Sequence, residues 1–408
     1  SSLAFGFAEF GRGELMLSTT ARAAYDSRVW GGLREDGDYI FTIDPRLIYR
    51  REAGQLKLRG EGGLRVNRYY EYSELNSEDF VGSLKLSLPP EASSLATGSF
   101  ETSYDEHTDV NYDVDQRIRE KTFLTSLNAD IPAGLKTTLL LGGNFRRDQR
   151  NQFSDRETRE GTVGFRYLDF LGGTSFDLRY RRLEVETTGG NAWNIPLDQQ
   201  SDIYTATISR PIFHDVRGSV SYGYRVLHRS SAEVFGGPYD KGGSIFAVSL
   251  VGPFLPESMF PKVESSLSLG YQKAESPGIN DPGAGNRFVG AMHLAWHARE
   301  RTSLIFDARR AVELTINDLT VETTGGSIGV NQQIGNFTTA GISAGYEERK
   351  YRTLDRRDDV FVATASATYR ISHAWSAGAD YRLRAVDSAV ASSDYSRNVI
   401  SVSASYLF

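Results

Sequence analysis

The sequence predicts an all-β fold, a transmembrane antiparallel up-and-down β-barrel of about twenty strands, with eighteen as the alternative. Three observations carry this. Apolar and polar residues alternate with a period of two along almost the whole chain. The connections alternate between tight turns and longer charged loops. Aromatic residues recur at both ends of the alternating segments. A period of two means that one face meets an apolar medium and the other a polar one. The last segment is the clearest case. Ile400, Val402, Ala404, Tyr406 and Phe408 fall on one parity, while Ser401, Ser403 and Ser405 fall on the other.

Composition agrees. The 408 residues include 22 Phe, 21 Tyr and 40 Gly but only 3 Met, a mixture that suits long strands better than packed helices. No apolar stretch approaches the roughly 20 residues that a spanning helix needs. A barrel needs none, because only alternate residues face lipid. Cysteine is absent, which excludes disulfides, thiolate metal sites and covalently attached haem. No linker or change of period marks a boundary. The expected organisation is a short periplasmic segment, 1–13, and a single barrel, 14–408. The start at Ser1-Ser2-Leu3 has no basic and apolar leader, so a signal peptide is expected to have been removed already.

The segments run to roughly 9–14 residues, about the length of a tilted spanning strand. Leu15 to Tyr25, Tyr39 to Tyr49, Leu139 to Phe145, Val216 to Tyr224 and Trp375 to Leu383 are examples. Tight connections occur at Glu52-Ala53-Gly54, Pro132-Ala133-Gly134, Gly335-Asn336 and Ser372-His373-Ala374. Longer ones occur at 26–37, 106–120, 187–198, 276–285 and 387–394. Nine turns and ten loops are expected, with the turns and both termini periplasmic. Tyr25, Tyr39, Phe80, Tyr104, Phe123, Phe145, Tyr180, Tyr204, Tyr224, Phe246, Tyr271, Phe288, Tyr346, Phe361 and Tyr381 fall at loop ends. Tyr49, Tyr167, Trp296, Tyr369, Trp375, Tyr406 and Phe408 fall at turn ends. Two girdles are what a bilayer's two interfaces select. A soluble β-solenoid or stacked sandwich would also alternate, but would not mark both ends of nearly every strand.

The parity opposite the aromatics then lines a wet lumen. The pore-lining candidates are Arg46, Arg50, Arg59, Arg65, Arg146, Arg179, Arg181, Arg225, Arg309, Arg349, Arg382 and Arg384, accompanied by Asp44, Glu61, Asp148, Asp177, Asp307, Glu347 and Asp380. This wall is net positive although the chain carries −6, so the excess acid lies in the loops. Arginine binds carboxylate and phosphate in a bidentate manner, which would guide anionic substrates. The alternative is a set of ion-pair ladders bracing neighbouring strands, favoured by pairs such as Asp44/Arg46, Arg59/Glu61, Asp177/Arg179 and Asp380/Arg382. A wall of this kind argues against a greasy lumen for hydrocarbons.

Twenty strands about 4.8 Å apart and tilted ~40° give a backbone diameter of about 40 Å. No infolded loop or plug is visible in the sequence. A partner, a traversing polymer or collective inward folding of loops must therefore control the bore. Other chemistry finds little support. Asp109, Asn111, Asp113, Asp115 and Glu120 echo a calcium loop, but Val114 stands where the sharp turn needs glycine, so a solvated acidic loop is the expectation. His293 and His297 lie about 13 Å apart on a strand, too far to chelate one ion. Neighbouring acids such as Glu347-Glu348 and Asp358-Asp359 point to opposite faces. No catalytic set, metal site, cofactor site or nucleic-acid site emerges, and the expectation is that the protein is not an enzyme.

The final strand, with Val402, Ala404, Tyr406 and Phe408 on one parity, resembles the C-terminal assembly signal of bacterial outer-membrane barrels. Further stretches resemble the β-barrel porins associated with exopolysaccharide-export loci. They are Ala24-Tyr25-Asp26-Ser27-Arg28-Val29, Asp38 to Tyr49 with its Pro45-Arg46-Leu47, Arg68-Tyr69-Tyr70, Asn76 to Phe80, and Asp394-Tyr395-Ser396-Arg397-Asn398. These resemblances imply an outer-membrane location, contact with lipid and lipopolysaccharide, and recognition by the barrel-assembly machinery. They also imply a periplasmic polysaccharide-export partner and no catalytic residue. The expected function is a passive conduit for exported polysaccharide. The alternatives are an uptake porin for oligosaccharides or anions, and a sheath around a lumenal partner such as a multihaem cytochrome.

Overall fold

The computed structural model describes residues 8–10, 13–89, 95–111, 116–151, 153–188, 199–213, 215–229, 239–255, 258, 260, 262–274, 285–314, 320–351, 356–390 and 393–408. A short piece, β1 (Ala8–Phe10), pairs with the start of β2 (Gly13–Asp26). The wall continues through β3 (Asp38–Ala53), β4 (Leu56–Tyr69), β5 (Ser77–Leu88), β6 (Thr97–Asn111) and β7 (Gln116–Pro132). Next come β8 (Thr137–Arg150), β9 (Asp155–Tyr167), β10 (Ser175–Thr188), β11 (Gln199–Phe213), β12 (Val216–Arg229), β13 (Tyr239–Val251) and β14 (Val263–Ala274). Last are β15 (Gly285–Arg299), β16 (Thr302–Leu314), β17 (Thr320–Ile334), β18 (Thr338–Tyr351), β19 (Arg356–Arg370), β20 (Trp375–Ser388) and β21 (Tyr395–Leu407).

From β2 to β21 each strand pairs antiparallel with its successor, and β2 also pairs with β21, from Ser18↔Leu407 to Asp26↔Val399. The sheet is thus a closed barrel of twenty strands, and no edge remains to be satisfied in lipid. At the seam the Leu17 and Phe408 backbones exchange both hydrogen bonds, at 2.9 and 2.8 Å.

The register turns the scattered aromatics into lateral rows. Tyr180, Tyr204 and Tyr224 face one another across β10, β11 and β12, and Phe246, Tyr271 and Phe288 do so across β13, β14 and β15. Between β12 and β13 the row steps by two residues, Tyr222 facing Phe246, as tilted strands require. Tyr25 and Tyr39 sit 5.2 Å apart, and Trp375 and Tyr406 4.7 Å apart at the opposite rim. Tyr39, Phe41, Ile43 and Leu47 are all about half exposed on one face of β3. So much contiguous apolar surface is untenable in water and natural in a bilayer.

Just beyond the loop-side rows the outward parity becomes charged. Glu106 is held by Arg119 at 2.6 Å and Lys121 at 3.5 Å, Arg182 by Glu184 at 2.8 Å, and Arg357 by Glu348 at 3.1 Å. Tyr180, Tyr346 and Tyr381 donate their hydroxyls upward to Asp202, Asp359 and Asn398. Charge on the lipid face costs little at the interface and several-fold more at mid-membrane, so this belt marks where hydrocarbon ends.

Nine turns and ten loops alternate, as the sequence implies. Gly54 (φ +61°) and Gly335 (φ +65°) take the left-handed conformation that their tight turns require. Among the turns, Asp169 accepts from Lys136 at 2.9 Å and from the Gly173 backbone N–H at 2.9 Å. Lys136 first and that N–H second hold its carboxyl below the ordinary range, so the contact persists above that range and is lost as pH falls through the lowered value.

The difference in length between turns and loops is less clean than expected. Eleven residues separate β13 from β14 at the turn rim, whereas only four separate β6 from β7 and four β18 from β19 at the loop rim. Strand pairing continues above the girdle there and consumes what the sequence presents as loop. The stretch 106–120 is the main correction. Its arms pair as far as Asn111↔Gln116, making an extended hairpin rather than a loop.

Candidate functional site: the lumen and its roof

The parity assignment places the candidate arginines on the wall opposite the aromatic face and sorts them by partner. Arg46 binds Asp44 at 2.9 Å and Glu61 at 2.8 Å, and Arg65 reaches the same Asp44 at 3.3 Å. Arg146 pairs with Asp148 at 2.8 Å, Arg179 with Asp177 at 2.7 Å, and Arg349 with Glu347. Arg59–Glu61 and Arg309–Glu347 are looser, both at 3.5 Å. Arg46–Asp44, Arg59–Glu61, Arg146–Asp148, Arg179–Asp177 and Arg349–Glu347 join residues two apart on one strand, whereas Arg46–Glu61, Arg65–Asp44 and Arg309–Glu347 cross between strands, so the expected cross-strand bracing is only partial. Asp380 and Arg382, by contrast, do not pair, although both line the same cavity. Among the described residues no carboxylate lies within 4.0 Å of Arg50, Arg225 or Arg382, and Arg181 reaches Glu160 only at 4.0 Å. Arg384 lines two luminal cavities. Arg229's side chain lies outside the described residues.

Between the charges the wall is hydroxyl and amide. Thr20–Ser405, Ser219–Ser249, Ser343–Thr364 and Thr42–Asn67 bridge neighbouring strands at 2.9, 2.6, 2.6 and 2.8 Å. Each group is satisfied locally, so the wall offers shallow, exchangeable contacts rather than one deep well. One luminal cavity, of about 1050 Å³, follows β19 to β21 and β2 to β6. A second, of about 630 Å³, lies along β13 to β20. At the turn rim Arg50, Lys57, Arg59 and Lys85 crowd a basic recess, with Arg50 directly opposite Arg59.

The loop rim carries a feature that the sequence reading lacks. The β6–β7 hairpin leans across the bore. Thr108 donates to Asp79 at 3.0 Å, Arg117 stacks on the Tyr69 ring at 4.7 Å, and Arg397 on β21 donates to Asp109 at 3.2 Å. Five strand spacings, roughly 24 Å along the wall, separate β21 from β6. Their contact therefore closes a chord, and the hairpin roofs one side of the lumen. Val110 and Ile118, on the hairpin itself, are buried.

Asp109 and Glu120 are thereby engaged away from any shared ion, Asp109 with Arg397 and Glu120 with Arg150 at 3.1 Å. The remaining carboxylates of the calcium-like pattern lie outside the described residues. His293 pairs with Asp307 at 2.7 Å and His297 with Glu264 at 3.9 Å, so they share no partner. Among the described residues no three metal-ligating side chains converge. Glu347 faces the lumen arginines, while Glu348 turns outward to Lys350 and Arg357.

The linear motifs of the sequence converge on this same rim. Arg397 binds both oxygens of Asp26, at 3.0, 3.1 and 2.6 Å, with side chains 9% and 1% exposed. Ser27 and Asn398 bond reciprocally at 2.9 and 2.8 Å. Asp38 accepts from the Glu71 and Tyr72 backbones at 3.0 Å, and Asn76 from Tyr69 N–H at 2.8 Å. Val29, Tyr69 and Leu75 form a small apolar core between the two loops. Arg22 and Arg397 are luminal residues that the lumen parity could have found, had it been extended to the first and last strands.

Releasing the roof should widen the path. The double substitution Asp109→Ala and Arg117→Ala removes both long-reach contacts and leaves every wall pair intact. Single-channel conductance in planar bilayers is expected to rise. Conductance equal to wild type would show that the hairpin does not restrict flow.

No curated protein matches this sequence. Solved structures that share its fold include the ferric enterobactin receptor PfeA (a mutant form) from Pseudomonas aeruginosa, at 9% identity and TM-score 0.54, covering 97% of this chain and 80% of that one. The siderophore receptor PiuA from Acinetobacter baumannii is similar at 8% identity and TM-score 0.53, covering 97% and 82%. The ferric-catecholate import receptor Fiu from E. coli is similar at 10% identity and TM-score 0.53, covering 96% and 81%. At such identities the likeness carries the fold alone. A family model described as "Putative beta-barrel porin 2" matches residues 267–407. That stretch, from within β14 to the end of β21, is similar to that family.

Proposed function

We propose that the protein is an outer-membrane conduit through which a hydrated polysaccharide leaves the cell. The observation that carries this is the wall itself, a broad polar lumen whose charges are mostly neutralised in place and whose hydroxyls offer exchangeable hydrogen bonds. A sugar polymer can slide along such a surface without being trapped. In this reading the turn rim is periplasmic, and the basic recess of Arg50, Lys57, Arg59 and Lys85 is the first polar surface that the polymer or a periplasmic export protein meets. The roof is the exit restriction. The driving force comes from synthesis and periplasmic machinery. The outward belt sits among lipopolysaccharide head groups, and the C-terminal strand addresses the assembly machinery.

Deleting the gene should abolish surface polysaccharide while periplasmic polymer accumulates, with restoration by the intact gene. Unchanged surface polymer would overturn the export reading. The arginines without carboxylates also favour uptake of anions. Liposome swelling separates the two, since rapid entry of small sugars and organic acids through the isolated protein supports uptake.

A further inference from the structure

We propose that Arg181 and Arg225 form a binding site for an anionic group, a carboxylate or phosphate carried by a saccharide, on the luminal wall just inside the loop rim. The proposal rests on the conduit reading for the solute's route and on the following geometry for the site.

Arg181, Ile203 and Arg225 lie in one lateral row across β10, β11 and β12, all on the luminal parity, immediately beside the Tyr180–Tyr204–Tyr224 row. The two arginines thus flank a single strand, with their Cα atoms roughly 10 Å apart. Between them Ile203 is buried and contributes no polar group. Guanidinium side chains are long enough to converge on one anion over such a gap.

Their partners distinguish them from the other luminal arginines. Where Arg46, Arg146 and Arg179 each hold a carboxylate below 3 Å, Arg225 makes only two bonds, from Nε and Nη2 to the Ser201 hydroxyl, at 3.2 and 2.8 Å. Ser201 is fully buried, so these bonds fix the planar head against the wall. The charges that act on Arg225 are Arg181 and, from β15, Arg287, both positive. Among the described residues, the only carboxylate within 4.0 Å of Arg181 is Glu160, at 4.0 Å.

Arg181 and Arg225, with no described carboxylate closer than 4.0 Å to either, are unfavourable neighbours unless an anion joins them. An arrangement held in place by a buried serine is pre-shaped for that anion. A guanidinium with donors to spare binds carboxylate or phosphate through paired, charge-assisted hydrogen bonds. The neighbouring wall supplies Thr205, Gly223 and Ser221, which leave room and offer hydroxyls to a sugar ring. The site thus assigns an acidic rather than a neutral saccharide as the solute.

The test uses the full chain in detergent micelles. Binding of a fluorescently labelled oligogalacturonate is measured beside an uncharged malto-oligosaccharide. Arg225→Ser and Arg181→Ser should each weaken oligogalacturonate binding roughly tenfold or more, since each removes a charge-assisted contact. Arg225→Lys should restore it in part. Arg179→Ser, whose arginine already holds Asp177, should leave it within about twofold. Heat-modifiable migration confirms that each variant is folded. Equal binding by wild type and the Arg181→Ser/Arg225→Ser double variant overturns the site, as does equal affinity for the uncharged sugar. Arg225-dependent binding by a protein that passes no current in planar bilayers sustains the site and overturns the conduit reading. Normal current with no Arg225-dependent binding does the reverse.

Discussion

Asp26→Ala is expected to destabilise the barrel by about 3–5 kcal/mol, the usual cost of stripping one partner from a buried ion pair. Arg397 is 9% exposed and directs Nε and Nη2 at Asp26, which is 1% exposed. Asp26 also accepts from the Arg28 backbone at 3.0 Å, so its loss unties the first loop as well. Asp109, at 3.2 Å, stays within reach of Arg397 and places the cost toward the lower end of that range. The contrast is the exposed Lys136–Asp169 pair, whose removal should cost far less because solvent screens it. Urea unfolding in lipid micelles, followed by tryptophan fluorescence, measures both. A change below about 1 kcal/mol for Asp26→Ala would mean that the seam does not depend on this pair.

Removing residues 400–408 is expected to abolish the folded barrel. That stretch supplies most of the β2 partner of the seam, including the Phe408–Leu17 exchange, and it also faces β20 from Trp375↔Tyr406 to Tyr381↔Ile400. Two strand edges would be left unpaired in hydrocarbon, where each unsatisfied backbone group costs several kcal/mol. Heat-modifiable mobility and protease protection report the loss. A protease-resistant barrel from the truncated chain would refute closure through β21. Phe408→Ser separates stability from targeting. It keeps the backbone pairing, so refolding in detergent should match wild type, while insertion in cells should fall.

Much of the architecture was legible because the bilayer imposes a strict rule on each strand. Period-two alternation, the paired turns and the aromatic ends of segments such as Tyr39 to Tyr49 follow from local sequence alone, and the strand number followed from them. What the sequence concealed was pairing at long range. Asp177 and Arg179, like Asp380 and Arg382, sit two apart on one strand, yet only the first couple pairs, because groups on neighbouring strands, such as Arg166 beside Asp177, also compete for each side chain. The roof was missed for a related reason. The stretch 106–120 is acidic and polar, which reads as loop, yet above the membrane its arms keep pairing because their polar side chains find partners on the rim, Asp109 with Arg397 and Thr108 with Asp79. The Asp26–Arg397 pair joins positions 371 residues apart, and only closure of the cylinder brings them together.

The charged belt above the tyrosine rows has a mechanical consequence. Sinking the barrel would drag Arg119, Lys121, Arg182 and Arg357 toward hydrocarbon, at a cost that climbs steeply with depth. Lifting it would pull tyrosine rings out of the interface and bare Ile43 and Leu47 to water. The vertical position is therefore held from both directions. If the proposed conduit carries a polymer, friction on the wall would load the barrel along its axis, and this two-sided restraint would let the membrane absorb that load while the barrel stays at its depth.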